Sequence, residues 1–124
     1  MQAYIDALTS RGAFAEFFTD DVTIDIVGGG QTAQGRAAVE GMIRFVHEQA
    51  FDGRAEVKCL LMDGNRAAVE ADFVGRHVAE FAGIPATGRE LRVPYSVVYD
   101  LDGSRIAALR IYGFASGLMQ AISG

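Results

Sequence analysis

Val39, Met42, Ile43 and Val46 fall at i, i+3, i+4 and i+7, so residues 36–50 are expected to form a helix with one buried face. Beyond Asp52-Gly53 the period changes from 3.6 to 2. Runs at about 54–62, 66–78, 89–101 and 105–114 read as four strands. In the second run Ala67, Val69, Ala71, Phe73, Gly75 and His77 share one face, while Glu70, Asp72 and Arg76 share the other. The apolar row should point inward, with His77 closing it at the rim of a cavity. In the third run Val93, Tyr95, Val97 and Tyr99 oppose Pro94, Ser96 and Val98, so neither face is clearly polar. Asp63-Gly64-Asn65 and Asp102-Gly103-Ser104 separate neighbouring runs and read as tight hairpin turns.

The first part of the chain mixes both periods. Ala3, Tyr4, Ala7 and Leu8 form a helical stripe, Ser10-Arg11-Gly12 interrupts it, and Ala13 to Phe18 reads as a second short helix stopped by Thr19-Asp20-Asp21. Val22 to Val27 alternates as a strand, and Gly28-Gly29-Gly30 reads as a flexible tip. From Ala115 the tail reads either as a short helix or as a frayed end. Helices, a strand, a helix and then a long meander give an α+β architecture. The expected shape is a cone: a curved, mostly antiparallel sheet wrapped around about three N-terminal and central helices. Such a cone leaves an apolar pocket at one end, suited to a small molecule.

Composition narrows the function. The 124 residues are read as one domain, half of them hydrophobic, with a net charge of −5. The mean hydropathy of +0.17 is high for a small domain and points to apolar surface buried in a subunit interface or around a cavity. An acidic chain without a basic cluster argues against nucleic acid and against anionic membranes. No stretch approaches the roughly 20 apolar residues of a membrane span. The start, MQAYIDAL, lacks the basic leader and apolar run of a signal peptide, so a cytoplasmic location is expected. One cysteine, Cys59, excludes an intrachain disulfide and reads as a small core residue. Two histidines without HxH or HExxH spacing predict no metal site, and no cofactor is expected.

Several candidates for chemistry remain. His77 is the strongest, because imidazole titrates near neutrality. Tyr4 is a candidate donor to a ligand carbonyl. Arg110 and Tyr112 share a strand face; Arg110 either binds an anionic ligand group or pairs with Glu70, Asp72 or Glu90. Asp25 and Asp100 are read as solvated, and His47, after Val46, as a surface or interface residue.

Three stretches together resemble the nuclear transport factor 2-like superfamily, in its SnoaL-like and ketosteroid isomerase-like branches. FFTDDVTIDI…QGRAAVEGMIRFV resembles the family's opening, GRHVAEFAGIPATGREL its central run, and YDLDGSRIAALRIY its closing hairpin. The resemblance implies an apolar cavity and a homodimer formed through the sheet. Tyr4 matches the position of the isomerases' tyrosine, while their two acids fall on Ile26 and Ser96. The aspartate that follows the aromatic residue of the last strand in the cyclases and epoxide hydrolases is missing; the strand reads Arg110-Ile111-Tyr112-Gly113-Phe114. The resemblance therefore implies a small apolar ligand, polycyclic or polyketide-like, with two functions left open. One is an isomerase, cyclase or hydrolase using His77, Tyr4 and Ser96. The other is a non-catalytic binding or assembly domain. Ile26, Phe73, Tyr95, Val98, Arg110 and Tyr112 are the expected ligand-lining residues.

Overall fold

A computed structural model of the chain describes residues 1–123. Helix α1 (Gln2–Thr9) leads through a 3-10 turn (Phe14–Phe17) into β1 (Phe18–Ile26) and β2 (Gln31–Gln34). Helix α2 (Arg36–Arg44) continues as a wider π-wound segment (Phe45–Ala50) into β3 (Phe51–Asp63). The meander β4 (Arg66–His77), β5 (Glu90–Asp102) and β6 (Arg105–Tyr112) follows, and α3 (Phe114–Ser123) closes the chain. The six strands form one open sheet in the order β2-β1-β6-β5-β4-β3. All neighbours are antiparallel except β1 and β6, which run parallel. The expected α+β cone is the observed fold.

The concave face carries the apolar rows. Ala67, Val69, Ala71, Phe73 and His77 of β4 are buried, as are Leu91, Val93, Val97 and Tyr99 of β5. Helices α1, α2 and α3 cover them with Tyr4 and Ile5, Val39 and Ile43, and Phe114, Leu118 and Ile122 respectively. Burying each large apolar side chain stabilises the fold by about 1.5–3 kcal/mol. Gly64 (φ 57°) and Gly103 (φ 61°) supply the left-handed backbone of the two hairpin turns, as the Asp-Gly pairs predict.

The structure departs from the sequence reading in several places. β1 begins at Phe18, because Phe18 and Val22 are both buried and a register shift against β6 lets Thr19-Asp20-Asp21 pass between them. Gly28-Gly29-Gly30 is the turn of a β1–β2 hairpin rather than a loose tip. Its second strand is short, polar and at the sheet edge, so it gives little periodic signal. Gly113 (φ 79°) ends β6 at Tyr112, and α3 starts directly after it. Cys59 is exposed rather than in the core, because a bulge between Val57 and Cys59 moves it to the outer face opposite Glu70.

The convex face is polar where it is buried at all. Asp72 is almost fully covered there, held by Arg92 at 2.8 Å and Lys58 at 3.1 Å, and Arg92 also reaches Glu56 at 3.0 Å. The Arg92 hydrogen bond, more than any other influence, holds the Asp72 carboxyl below its ordinary range.

Candidate functional site

Between α1, α2 and the concave sheet lies an apolar cavity of about 50 Å³. Its polar members are Tyr4 of α1, His47 of the π-wound segment, and Tyr95 and Tyr99 of β5; Ile24, Ile26, Val97 and Leu109 supply much of the apolar wall. It opens into a mouth of about 320 Å³ that shares Ile26, Met42, Val46 and Phe114 with it. The mouth is framed by Gly28-Gly29, by α3 through Ala115 and Met119, and by Phe81 and Ala82 of the 78–89 connection. Neither lining contains an acid.

His47 stands in this wall because α2's buried stripe runs on. Ile43 lies one turn before it and Val39 two turns before, so His47 continues the face that Val39 and Ile43 start. The wider π winding carries the ring to Phe73, edge to face with centroids 5.1 Å apart. Its Nδ1 lies 2.8 Å from the Ile43 carbonyl oxygen. A carbonyl only accepts, so Nδ1 carries the proton and Nε2 is the lone-pair nitrogen. Among the described residues Nε2 has no hydrogen-bond partner, a state it shares with Nε2 of His77. Leaving such a group unsatisfied costs about 1–3 kcal/mol. Burial lowers the His47 pKa, against a smaller opposing effect of the Ile43 carbonyl, so the ring is neutral.

The three cavity tyrosines are neutral donors. Burial pushes the Tyr4 hydroxyl far above its ordinary value; Tyr95 adds to the rise and the Tyr99 hydroxyl opposes it. Burial raises Tyr95 and Tyr99 in the same direction. Phenols in this state donate hydrogen bonds and do not ionise near neutral pH.

The sequence candidates separate into two groups. Tyr4, Ile26 and Tyr95 line the cavity. His77 does not. It is fully buried beneath the 78–89 connection, its ring tilted by 30° against that of Phe51 with centroids 5.1 Å apart. There its Nδ1 accepts the Thr87 amide at 3.2 Å, while its own backbone bonds to Arg89 and Gly88 at 3.0 Å. His77 therefore fastens the connection that carries Phe81 and Ala82 to the mouth. Ser96 is exposed on the convex face, because the odd-numbered residues of β5 point inward. Val98, Arg110 and Tyr112 lie on that convex face as well. Arg110 pairs with Asp100 through two bonds of 2.8 and 3.0 Å, not with Glu70, Asp72 or Glu90. That pairing holds Asp100 below its ordinary range and leaves it no role as a base. Asp25 is exposed. Phe73 sits behind the cavity, packed against His47, Phe51 and Phe114. The trio His77, Tyr4 and Ser96 thus does not converge. The sequence reading missed His47 and Tyr99, and the i+4 step from Ile43 was the signal that would have found His47.

Among curated proteins, no relative matches the sequence. Solved structures match in fold. A proposed SnoaL-like polyketide cyclase of Jannaschia sp. CCS1 superposes with a TM-score of 0.84 at 18% identity, over 99% of this chain and 91% of that one. A proposed polyketide cyclase of Pseudomonas putida KT2440 gives 0.77 at 23% identity, over 98% and 93%. A hypothetical protein of ketosteroid isomerase-like fold from Catenulispora acidiphila, solved with trimethylamine, gives 0.77 at 19% identity, over 98% and 90%. The family description "SnoaL-like domain" matches residues 1–109. With an open six-stranded sheet and a family match over most of its length, the chain belongs to the SnoaL-like family.

Proposed function

We propose that this chain binds a small apolar carbonyl compound, polycyclic or polyketide-like, with its carbonyl end in the inner cavity and its hydrocarbon part in the mouth. The observation that carries this reading is the chemistry of the walls: apolar throughout, with three neutral phenols and one neutral imidazole and no carboxylate. Phenol donors match a carbonyl oxygen, and the apolar wall rejects a charged ligand. The resemblance to ketosteroid isomerase-like proteins, with Tyr4 at the isomerase tyrosine's position, points the same way.

The test is calorimetric titration with 2-tetralone, a bicyclic ketone small enough for the mouth. Wild type should bind, and Tyr4→Phe should weaken binding about 5–10-fold, the worth of one hydrogen bond of about 1 kcal/mol. No binding by wild type, or equal affinity in Tyr4→Phe, would remove the reading. A non-catalytic binding role is the second reading. It is favoured by Ile26 and Ser96, which stand where the isomerases' two acids fall.

We also propose a homodimer through the convex face. Leu61 (64% exposed) and Tyr112 (40%) are large apolar side chains left open there. Leu61 lies in one cross-strand row with Ala68, Val98 and Arg110. Light scattering at micromolar concentration should give the dimer mass, and Val98→Glu should halve it by burying a charge at the contact. A monomer mass for wild type would refute the dimer.

A further inference from the structure

We propose that His77 is an acid-released latch: the neutral ring holds the 78–89 connection down beside the mouth, and the protonated ring lets it go. This stands independently of the ligand reading. The polar bonds that tie the connection to the sheet lie at its two ends. At its start the Val78 and Ala79 amides donate to the Ala50 carbonyl at 3.0 and 3.1 Å. At its end the Thr87 amide donates to His77 Nδ1 at 3.2 Å, the Gly88 amide to the His77 carbonyl at 3.0 Å, and the His77 amide to the Arg89 carbonyl at 3.0 Å. In between, the Phe81 and Ile84 backbones bond to one another across a two-residue turn. Ala82 in that turn has a left-handed backbone (φ 51°), which costs a residue with a Cβ about 1–2 kcal/mol. The Phe81 ring rests against Phe51 and Phe45, with centroids 5.2 and 6.4 Å apart. The tip is thus strained and held by packing, and the polar clasp is at His77.

One ring nitrogen serves that clasp. The Thr87 amide only donates, so Nδ1 presents its lone pair and the proton of the neutral ring sits on Nε2. The ring is fully buried, and Nε2 finds no acceptor among the described residues. A second proton has to go to Nδ1. It turns toward the Thr87 hydroxyl oxygen, 3.0 Å away, which already accepts the Arg89 amide at 3.2 Å. The Thr87 amide is then left facing a donor. Burying an unpaired charge is costly, and opening hydrates both ring N–H groups. The closed state therefore binds fewer protons than the open one, and acid favours opening.

No described charged group is bonded to the ring. On β3, Asp52 pairs with Arg11; on β4 and β5, Arg76 pairs with Glu90. On the connection itself, Glu80 is exposed and the Arg89 guanidinium donates to the Ala121 carbonyl at 3.3 Å. On the π-wound segment Glu48 pairs with Arg44, and the His47 ring meets Phe73. Helix α3 carries no charged residue. The proton on His77 is thus the charge that acid adds at the clasp.

Amide hydrogen exchange followed by NMR tests this between pH 7.5 and pH 5, the range in which imidazole gains a proton. After correction for intrinsic rates, protection of Thr87 and Gly88 should fall at least about 10-fold, the worth of one proton over one pH unit, while Phe73 and Val97 in the sheet keep theirs. His77→Asn offers the Thr87 amide a neutral oxygen acceptor that does not titrate, so its Thr87 protection should change by less than about 2-fold. Ring ¹⁵N spectra of wild type should show the His77 proton on Nε2 alone at pH 7.5 and on both nitrogens at pH 5; they decide the matter if His77→Asn does not fold. Constant Thr87 protection in wild type, an equal fall in folded His77→Asn, or a parallel loss at Phe73 and Val97 would overturn the latch. So would a proton on Nδ1 at pH 7.5, or a ring still singly protonated at pH 5.

Discussion

Alanine at position 73 should cost the fold about 3–5 kcal/mol, the range for removing a fully buried phenyl ring. Phe73 has no solvent exposure and stands at the junction of the core. Its ring meets Phe51 at 5.6 Å and Phe114 at 5.3 Å, both perpendicular, and supports the edge of His47 at 5.1 Å. Perpendicular aromatic pairs add about 0.5–1.5 kcal/mol each beyond area burial, and no neighbour can swing in to replace three of them. Chemical denaturation or a thermal melt checks this; for a chain of this size the midpoint should fall by about 10–20 °C. A drop of only about 3 °C would show that the cavity collapses and that Phe73 is not the keystone proposed. The variant should also loosen His47, whose ring packs against Phe73.

Gly75→Ala should be nearly as damaging, for a different reason. A Cβ at Gly75 would stand 2.4 Å from the Asp52 carbonyl oxygen and 2.6 Å from the Gly53 Cα. Both are backbone atoms of the paired strand, so no side-chain rotation relieves the overlap. Gly53 and Gly75 face one another in the β3–β4 register, and both lack a Cβ where the strands come close. Forcing the strands apart should cost about 3 kcal/mol, measured as a lower denaturation midpoint with the slope unchanged. A variant as stable as wild type would mean that β3, an edge strand, shifts freely.

How much of this could be read from the chain depended on whether one face of an element was polar. β4 has Glu70, Asp72 and Arg76 on one side, so its inward row was legible residue by residue. β5 is apolar on both sides near Val97 and Val98, so alternation alone could not say whether Tyr95 or Ser96 pointed inward. The family resemblance then favoured Ser96, and the register placed it outside. Cys59 was misplaced because a bulge breaks the period of two on which the reading relied. His47 was missed because it is a polar residue within an apolar stripe; its helical position was correct, but its polarity was taken as a sign of exposure. The salt-bridged Asp72 and Arg110 show the reverse. Their partners lie on neighbouring strands, and a pairing across strands is visible only once the order of the sheet is known.

The parallel pairing of β1 with β6 has a consequence for how the chain reaches this state. Arg105, at the start of β6, donates to carbonyls 87 and 89 positions earlier, at Phe18 and Glu16. β1 and β2 thus have no place in the sheet until β6 has formed, while the β3–β6 meander can assemble from neighbouring hairpins. Loop-closure entropy for such a distant contact is met only late, so the docking of β1 is expected to be the slow step of folding. During synthesis the apolar side of β1 is expected to stay unpaired with its parallel neighbour until residues past 105 have left the ribosome. The wall of the cavity that holds Ile24 and Ile26 is therefore the last part of the protein to be built.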